Sequence, residues 1–202
     1  MSVPAAESVP VGKLYSVVTH LAMEAPPALE PPAPPAPGVT LDRRRAMAVA
    51  DYLRLYRAIG DDWLWWNRLT WDEDELAIQL ASDETEVYVA VADGEEIGLI
   101  ELNLQPAPDI EIRYFGVIPS RIGTGLGSWL LAHALAAAWR HRPQRVILNT
   151  CTLDHPGALA FYQRHGFAIT RSEVDIVNDP RLTGLLPRDA APHIPLASTT
   201  DS

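Results

Sequence analysis

Residues 86–92 and 96–104 alternate apolar and polar side chains on either side of Asp93-Gly94, the pattern of two strands joined by a tight hairpin. A strand over 110–118 follows, then an alanine- and leucine-rich helix over 126–140, a strand over 145–151, a helix over 156–164 and a strand from Phe167. Upstream, GKLYSVVTHLAM at 12–23 is rich in β-branched residues and predicts a first strand. The run PPALEPPAPPAP at 26–37 excludes helix and ladder pairing and predicts an extended connector. Thr40 is positioned to cap a helix from 41 to about 59, with Ala46, Val49, Ala50, Leu53 and Tyr56 as its inner stripe and Gly60 at its end.

This order implies one α/β domain, a mixed and mostly antiparallel sheet flanked by helices. At 202 residues with 48% hydrophobic content, the chain is long enough to bury one substantial core, and no internal repeat is visible. The domain is expected over 1–177, with the connector 26–37 inside it. Residues 178–202 are expected to lie over it as an irregular segment whose last five, STTDS, are disordered.

A net charge of -10 disfavours a nucleic-acid surface, which needs clustered Lys and Arg, and suits a cationic partner. Cys151 is the only cysteine, so no intramolecular disulfide forms. Its setting in VILNTC reads as a buried structural thiol. No apolar run reaches membrane-spanning length and the first residues lack a signal pattern, so the cytoplasm is the expected compartment, with no membrane partner. No His, Cys or acidic pair has metal-site spacing, and no metal is expected. The sequence is compatible with a monomer or a homodimer.

The chemistry concentrates in EIRYFGVIPSRIGTGLGSWLL at 111–131, a strand ended by Pro119 and a loop with Gly123, Gly125 and Gly127 that runs into a helix. A helix N-terminus exposes unpaired N–H groups and a positive dipole end, and glycines ahead of it let an anion approach the main chain. A diphosphate site is one reading; a plain tight turn is the other. A Walker loop is excluded, because Gly127 is followed by Ser128 and Trp129 rather than Lys and Ser or Thr. A Rossmann loop is excluded too: the G-x-G-x-G lies past the chain's midpoint, with no acid between Gly127 and Asp154.

Downstream, DHPGALAFYQRHGF at 154–167 completes a pattern that resembles the GNAT superfamily of N-acetyltransferases. Val117 and Pro119 match its V-x-P strand end, Gly125 and Gly127 its pyrophosphate loop, and Tyr162 with Gly166 and Phe167 its tyrosine helix and G-F pair. The similarity is close over 85–170 and upstream is one of element order. It implies acetyl-CoA as donor, held at Phe115, Gly116 and Val117 along the pantetheine and at Ile122, Gly123, Thr124, Gly125, Leu126, Gly127 and Ser128 around the phosphates. It also implies Tyr162 as proton donor to the departing sulfur, and His155, at a position where the family often has Asn, as a further cofactor-binding residue. Two departures stand out: Ile122 occupies the usual place of Gln or Arg, with Arg121 one residue early, and His155 replaces Asn.

Acyl transfer to an amine needs a neutral amine, a positioned thioester, a stabilised oxyanion and a proton for the thiolate. Glu111 and Glu101 are candidate bases; on a regular strand Glu111 shares a face with Arg113, Phe115 and Val117, unless a bulge intervenes. In DDWLWWNRLTWDEDELAIQLAS, Thr70 and Glu73 fit a capping box, a structural reading of the acids. Alternatively Trp63, Trp65, Trp66 and Trp71 wall an acceptor pocket and Asp61 or Asp62 attracts an ammonium. The implied activity is direct acetyl transfer to a primary amine of a small molecule. Transfer to a protein or peptide amine, and a catalytically silent acyl-CoA-binding module, are the alternatives.

Overall fold

The computed structural model describes residues 10–28, 30–105 and 108–198. Seven strands, β1 (Lys13–Met23), β2 (Thr40–Arg44), β3 (Thr85–Ala92), β4 (Glu95–Asn103), β5 (Asp109–Val117), β6 (Arg145–Cys151) and β7 (Ala168–Asn178), form one sheet in the order β2-β3-β4-β5-β6-β1-β7. Four helices flank it: α1 (Val49–Gly60), α2 (Glu73–Ala81), α3 (Leu126–Trp139) and α4 (Ala158–Arg164). The fold is thus a single-domain, mixed, mostly antiparallel α/β sandwich, with β5 and β6 as the parallel pair. Glu101 of β4 points to α1, where Tyr52 meets it, whereas a Cβ on Gly98 would lie 3.1 Å from Leu130 of α3. The two helix layers therefore cover opposite faces. α3 buries Leu126, Trp129, Leu130, Leu131, Ala134, Leu135, Ala137 and Ala138, and so reads as apolar almost all round.

The chain departs from the sequence reading at its first helix. Residues 40–44 are not helical but form the edge strand β2, paired to β3 from Thr40↔Val91 to Arg44↔Val87, so Thr40 caps nothing. The run Asp42-Arg43-Arg44 supplies no apolar helical face, and Arg43 instead reaches the buried Glu86 at 2.7 Å. Ala46, at φ +46, turns the chain out of the strand, and α1 starts after Ala48 without a side-chain cap. Its buried stripe is Tyr52, Leu55, Tyr56 and Ile59, with Ala46 and Ala50 exposed. Gly60 does end the helix, though not through a left-handed conformation; a Cβ there would sit 2.5 Å from the Cβ of Trp65. The expected capping box is also displaced. Asp72, not Thr70, caps α2 by accepting from the Asp74 N–H, while the Thr70 hydroxyl donates to the Asn67 carbonyl.

Beyond Asn178 the chain is irregular and is spooled around one cation. Arg181 makes a bidentate pair with Asp179 and donates to the carbonyls of Ala190, Ala191, Ile194 and Pro195. Leu186, Ala191 and Ala197 then pack on Leu14 and Leu64. Of the five C-terminal residues expected to be disordered, four lie outside the described residues; Ser198 accepts from the Gly12 N–H at 2.7 Å.

Candidate active site

β5 and β6 pair only from Asp109↔Arg145 to Glu111↔Ile147 and then separate, while β5 stays bonded to β4 as far as Val117 and β6 to β1 as far as Cys151. The separation leaves the inner edges of both strands without a ladder partner, and a cleft of about 1090 Å³ occupies it. Glycine loop, tyrosine helix and tryptophan segment all contribute to its lining.

One arm of the cleft is built around the N-terminus of α3. Gly123 and Gly125 have φ of +79 and +87, conformations that other residues adopt only under strain. Gly125 offers no side-chain cap, so the N–H groups of the first helical turn stay directed at the cleft. A Cβ on Gly125 would find only Pro35 within 4 Å, at 3.9 Å, so the proline-rich connector borders this loop. Arg121 and Arg164 both line the cleft and bring positive charge to it. Arg164 was not foreseen, although Ala158, Phe161 and Arg164 recur at helical spacing and all line the cavity. Of the predicted loop residues, Ile122, Gly123, Gly125, Gly127 and Ser128 line the cleft. Thr124 turns its hydroxyl back to the Arg121 carbonyl and Leu126 is buried in the core, so neither side chain faces it. The loop backbone and two guanidinium groups thus fit a polyphosphate, and no cluster of metal-binding side chains occurs among the described residues.

At the throat, Phe115 stacks on Phe161 with ring centres 6.1 Å apart and meets Tyr162 edge-on at the same separation. Tyr162 is 9% exposed, and its hydroxyl makes no hydrogen bond among the described residues. Burial, and then the charge of Asp154, raises its pKa well above that of an ordinary phenol, so the hydroxyl is neutral at physiological pH. Cys151 lines the throat too; burial, then Asp154, holds its thiol protonated, which makes it a poor nucleophile.

The two candidate bases part company. Glu101 is 0% exposed and absent from the cleft, held by Arg68 and by the Tyr52 hydroxyl. Glu111 lines the cleft but accepts from Asn103 and Arg113. It does not share a face with Phe115 and Val117. Tyr114 pairs with Glu101 and Ile112 with Leu102, so Arg113 is an extra residue on β5 and the alternation inverts there. Glu111 consequently lies on the α1 face with Tyr114 and Gly116.

The second arm carries the aromatic wall. Trp63, Trp65 and Trp66 line it with Tyr114, but Trp71 does not; that ring covers Arg68, 4.4 Å from the guanidinium carbon. Asp61 and Asp62 also fall outside the cleft, Asp61 pairing with Arg57 at 3.6 Å. The acids that do line it are Glu111, Asp154, Glu173 and Asp175. Trp65 is slotted between Gly60 and Gly116, against Tyr56 and Tyr114 at 5.3 and 5.4 Å between ring centres. Trp63 stands between two histidine rings, His155 and His193, each 5.1 Å away. His155 accepts from the Gly157 N–H through Nδ1, which leaves Nε2 to carry the proton on a cleft-lining ring.

The family model of the GNAT acetyltransferases matches residues 52–167. The chain belongs to the GNAT acetyltransferase family. Among solved structures it is similar to a GCN5-related N-acetyltransferase from Sphaerobacter thermophilus, at 19% identity and a TM-score of 0.59, covering 83% of this chain and 52% of that one. A GNAT acetyltransferase from Elizabethkingia anophelis with acetyl-CoA bound matches at 21% identity and a TM-score of 0.52, over 67% of this chain and 80% of that one. An aminoglycoside acetyltransferase from an uncultured soil metagenomic sample, in complex with trehalose, matches at 18% identity and a TM-score of 0.52, over 63% of this chain and 86% of that one. The chain spans 63% and 52% of the length of two longer matching structures, so it corresponds to part of each. A search of curated proteins gives no match.

Proposed function

We propose that the protein transfers the acetyl group of acetyl-CoA directly to a primary amine of a small molecule. The observation that carries this reading is a single cleft joining a glycine-built anion loop, a buried unbonded phenol and a wall of aromatic rings with acids. In this reading the α3 N-terminus, Arg121 and Arg164 hold the donor's phosphates, and the β5 edge at Phe115, Gly116 and Val117 holds its pantetheine arm. Acetyl-CoA supplies an activated thioester. Tyr162 gives its phenolic proton to the sulfur as it leaves, a role that its neutrality and its position at the throat support. Phe115 and Phe161 exclude water from the throat. The amine enters from the tryptophan arm, where Glu111, alone or through a water, is the candidate base remaining from the two in the sequence. The aromatic wall, with acids on the same lining, supports a small cationic acceptor.

The test is thiol release from acetyl-CoA with a panel of small amines and amine-terminated peptides. Amine-dependent release, faster with small amines, is expected. No release with any amine, together with no thermal shift on adding acetyl-CoA, would remove the proposal.

A further inference from the structure

Asp154 lines the cleft at the end of β6, opposite the Trp65 indole. One carboxylate oxygen, Oδ2, is fixed to the end of β6 by the Thr150 hydroxyl at 2.8 Å and the Cys151 N–H at 2.9 Å. The other, Oδ1, faces across the strand separation and receives only a long contact from the Trp65 indole N–H, 3.4 Å. Trp65 belongs to the opposite wall, seated against Tyr114 and Gly116 of β5. The pair therefore bridges the separation between β5 and β6.

The charges around it single this residue out. Glu111 is paired with Arg113 at 3.3 Å, and Glu173 with His20 and Arg171. Asp175, also on the lining, has no cation partner among the described residues but stands exposed on β7 and makes no bond to the indole. Asp154 is half-buried, has no cation partner among the described residues, and holds its free lone pairs beside an aromatic ring. Carboxylate and ring together are the recognition chemistry of an alkylammonium: the charge pairs with Oδ1, and the C–H groups beside the nitrogen lie on the indole.

We infer that Asp154, with the Trp65 ring, is the acceptor's cation anchor and sets the preference of the cleft for amines that are charged at neutral pH. The inference rests on the acetyl-transfer reading and names the class of acceptor: a primary alkylammonium rather than an arylamine or an uncharged nucleophile. Asp154 acts as a specificity-determining residue; because its charge, after burial, also helps keep Tyr162 protonated, its role in recognition is read from binding and not from turnover.

Two isomeric probes separate charge from shape. 2-Phenylethylamine is an ammonium at neutral pH and 4-ethylaniline is neutral, with the same atoms and a similar outline. Titration calorimetry of both into the CoA-saturated protein should show the ammonium bound at least tenfold more tightly. In Asp154→Asn the preference should collapse toward equality, with CoA affinity unchanged. In Trp65→Phe, which keeps a ring but removes the competing N–H, the preference should persist. Parent protein that binds CoA but shows no preference for the ammonium overturns the inference and leaves acetyl transfer standing; parent protein that fails to bind CoA undermines the acetyl-transfer reading itself. Equal loss of preference in both variants also overturns it, since Asp154 would then serve only to fasten the indole.

Discussion

Arg68 donates to Glu101 in the protein interior, the two side chains 2% and 1% exposed, with the Tyr114 and Trp71 rings 5.3 and 4.4 Å from the guanidinium carbon. The second oxygen of Glu101 takes the Tyr52 hydroxyl, so this acid ties α1, the tryptophan segment and β4 together. Glu101 is thereby occupied as a strut. Removing one member of a buried pair leaves the other charge uncompensated, typically at a cost of about 3–5 kcal/mol, whereas replacing both by apolar residues is often close to neutral. Glu101→Gln and Arg68→Met are each expected to lower the urea midpoint strongly, and the Arg68→Met/Glu101→Met double variant to recover much of the loss. An unchanged midpoint in Glu101→Gln, accompanied by lost turnover, would return Glu101 to the role of base.

What the sequence made legible follows from how local each signal is. The Asp93-Gly94 hairpin, the glycine loop and α3 are written in consecutive residues, and each is found where its pattern lies. β2 was missed because Thr40–Arg44 has no strand pattern of its own; pairing with β3 and the reach of Arg43 to Glu86 decide it. The face of Glu111 was unreadable because one extra residue, Arg113, inverts the alternation, and only the register with β4 reveals it. Asp61 and Asp62 neighbour the tryptophans in sequence alone, while Asp154, some ninety positions away in the chain, is the acid that meets Trp65. Arg181 shows the same limit: nothing in its neighbourhood announces that it gathers four carbonyls.

The pair Asp179–Arg181 predicts an acid limb of stability. Burial alone would raise the Asp179 pKa, but bonds from Arg181 and from the N–H groups of Ala197 and Arg181 outweigh it and hold the carboxyl below its ordinary 3.8. A carboxyl depressed in the folded state favours folding above its unfolded pKa, and that contribution disappears as pH falls through the folded value. Urea midpoints measured from neutral pH down to about pH 3 should fall at the acid end, and Asp179→Asn should start lower and show a flatter fall. Identical acid slopes in both proteins would mean that other carboxylates carry the transition.

Gly127 separates fold from ligand binding. It lies inside α3 and lines the cleft, and a Cβ there would meet only the Phe161 ring, at an ordinary 3.8 Å. Gly127→Ala should raise stability by about 0.5–1 kcal/mol, since glycine is a poor helix residue, while weakening CoA binding by covering the N–H groups beneath it. Gly125→Ala, at φ +87, should lose both stability and CoA binding. Thermal melts with and without CoA read both effects, and a Gly127→Ala protein that binds CoA as the parent does would show that the phosphates do not approach this turn.

Tyr162→Phe tests the proposed proton donor directly. The ring packs against Phe115, Phe161 and Phe167, all of which phenylalanine would keep, and the hydroxyl bonds to nothing among the described residues, so its loss removes no structural interaction. Stability and CoA affinity should therefore match the parent. Turnover should fall by about 10²-fold, the usual scale for losing a positioned general acid. Burial and Asp154 raise the phenol's pKa, so the parent should show no alkaline loss of rate from this group up to the ordinary 10.0. Acetyl donors whose thiols are more acidic than CoA need less protonation as they leave, and with these the variant should approach the parent rate. A rate deficit that stays constant across such donors would assign Tyr162 to shaping the throat and leave the thiolate's proton to water.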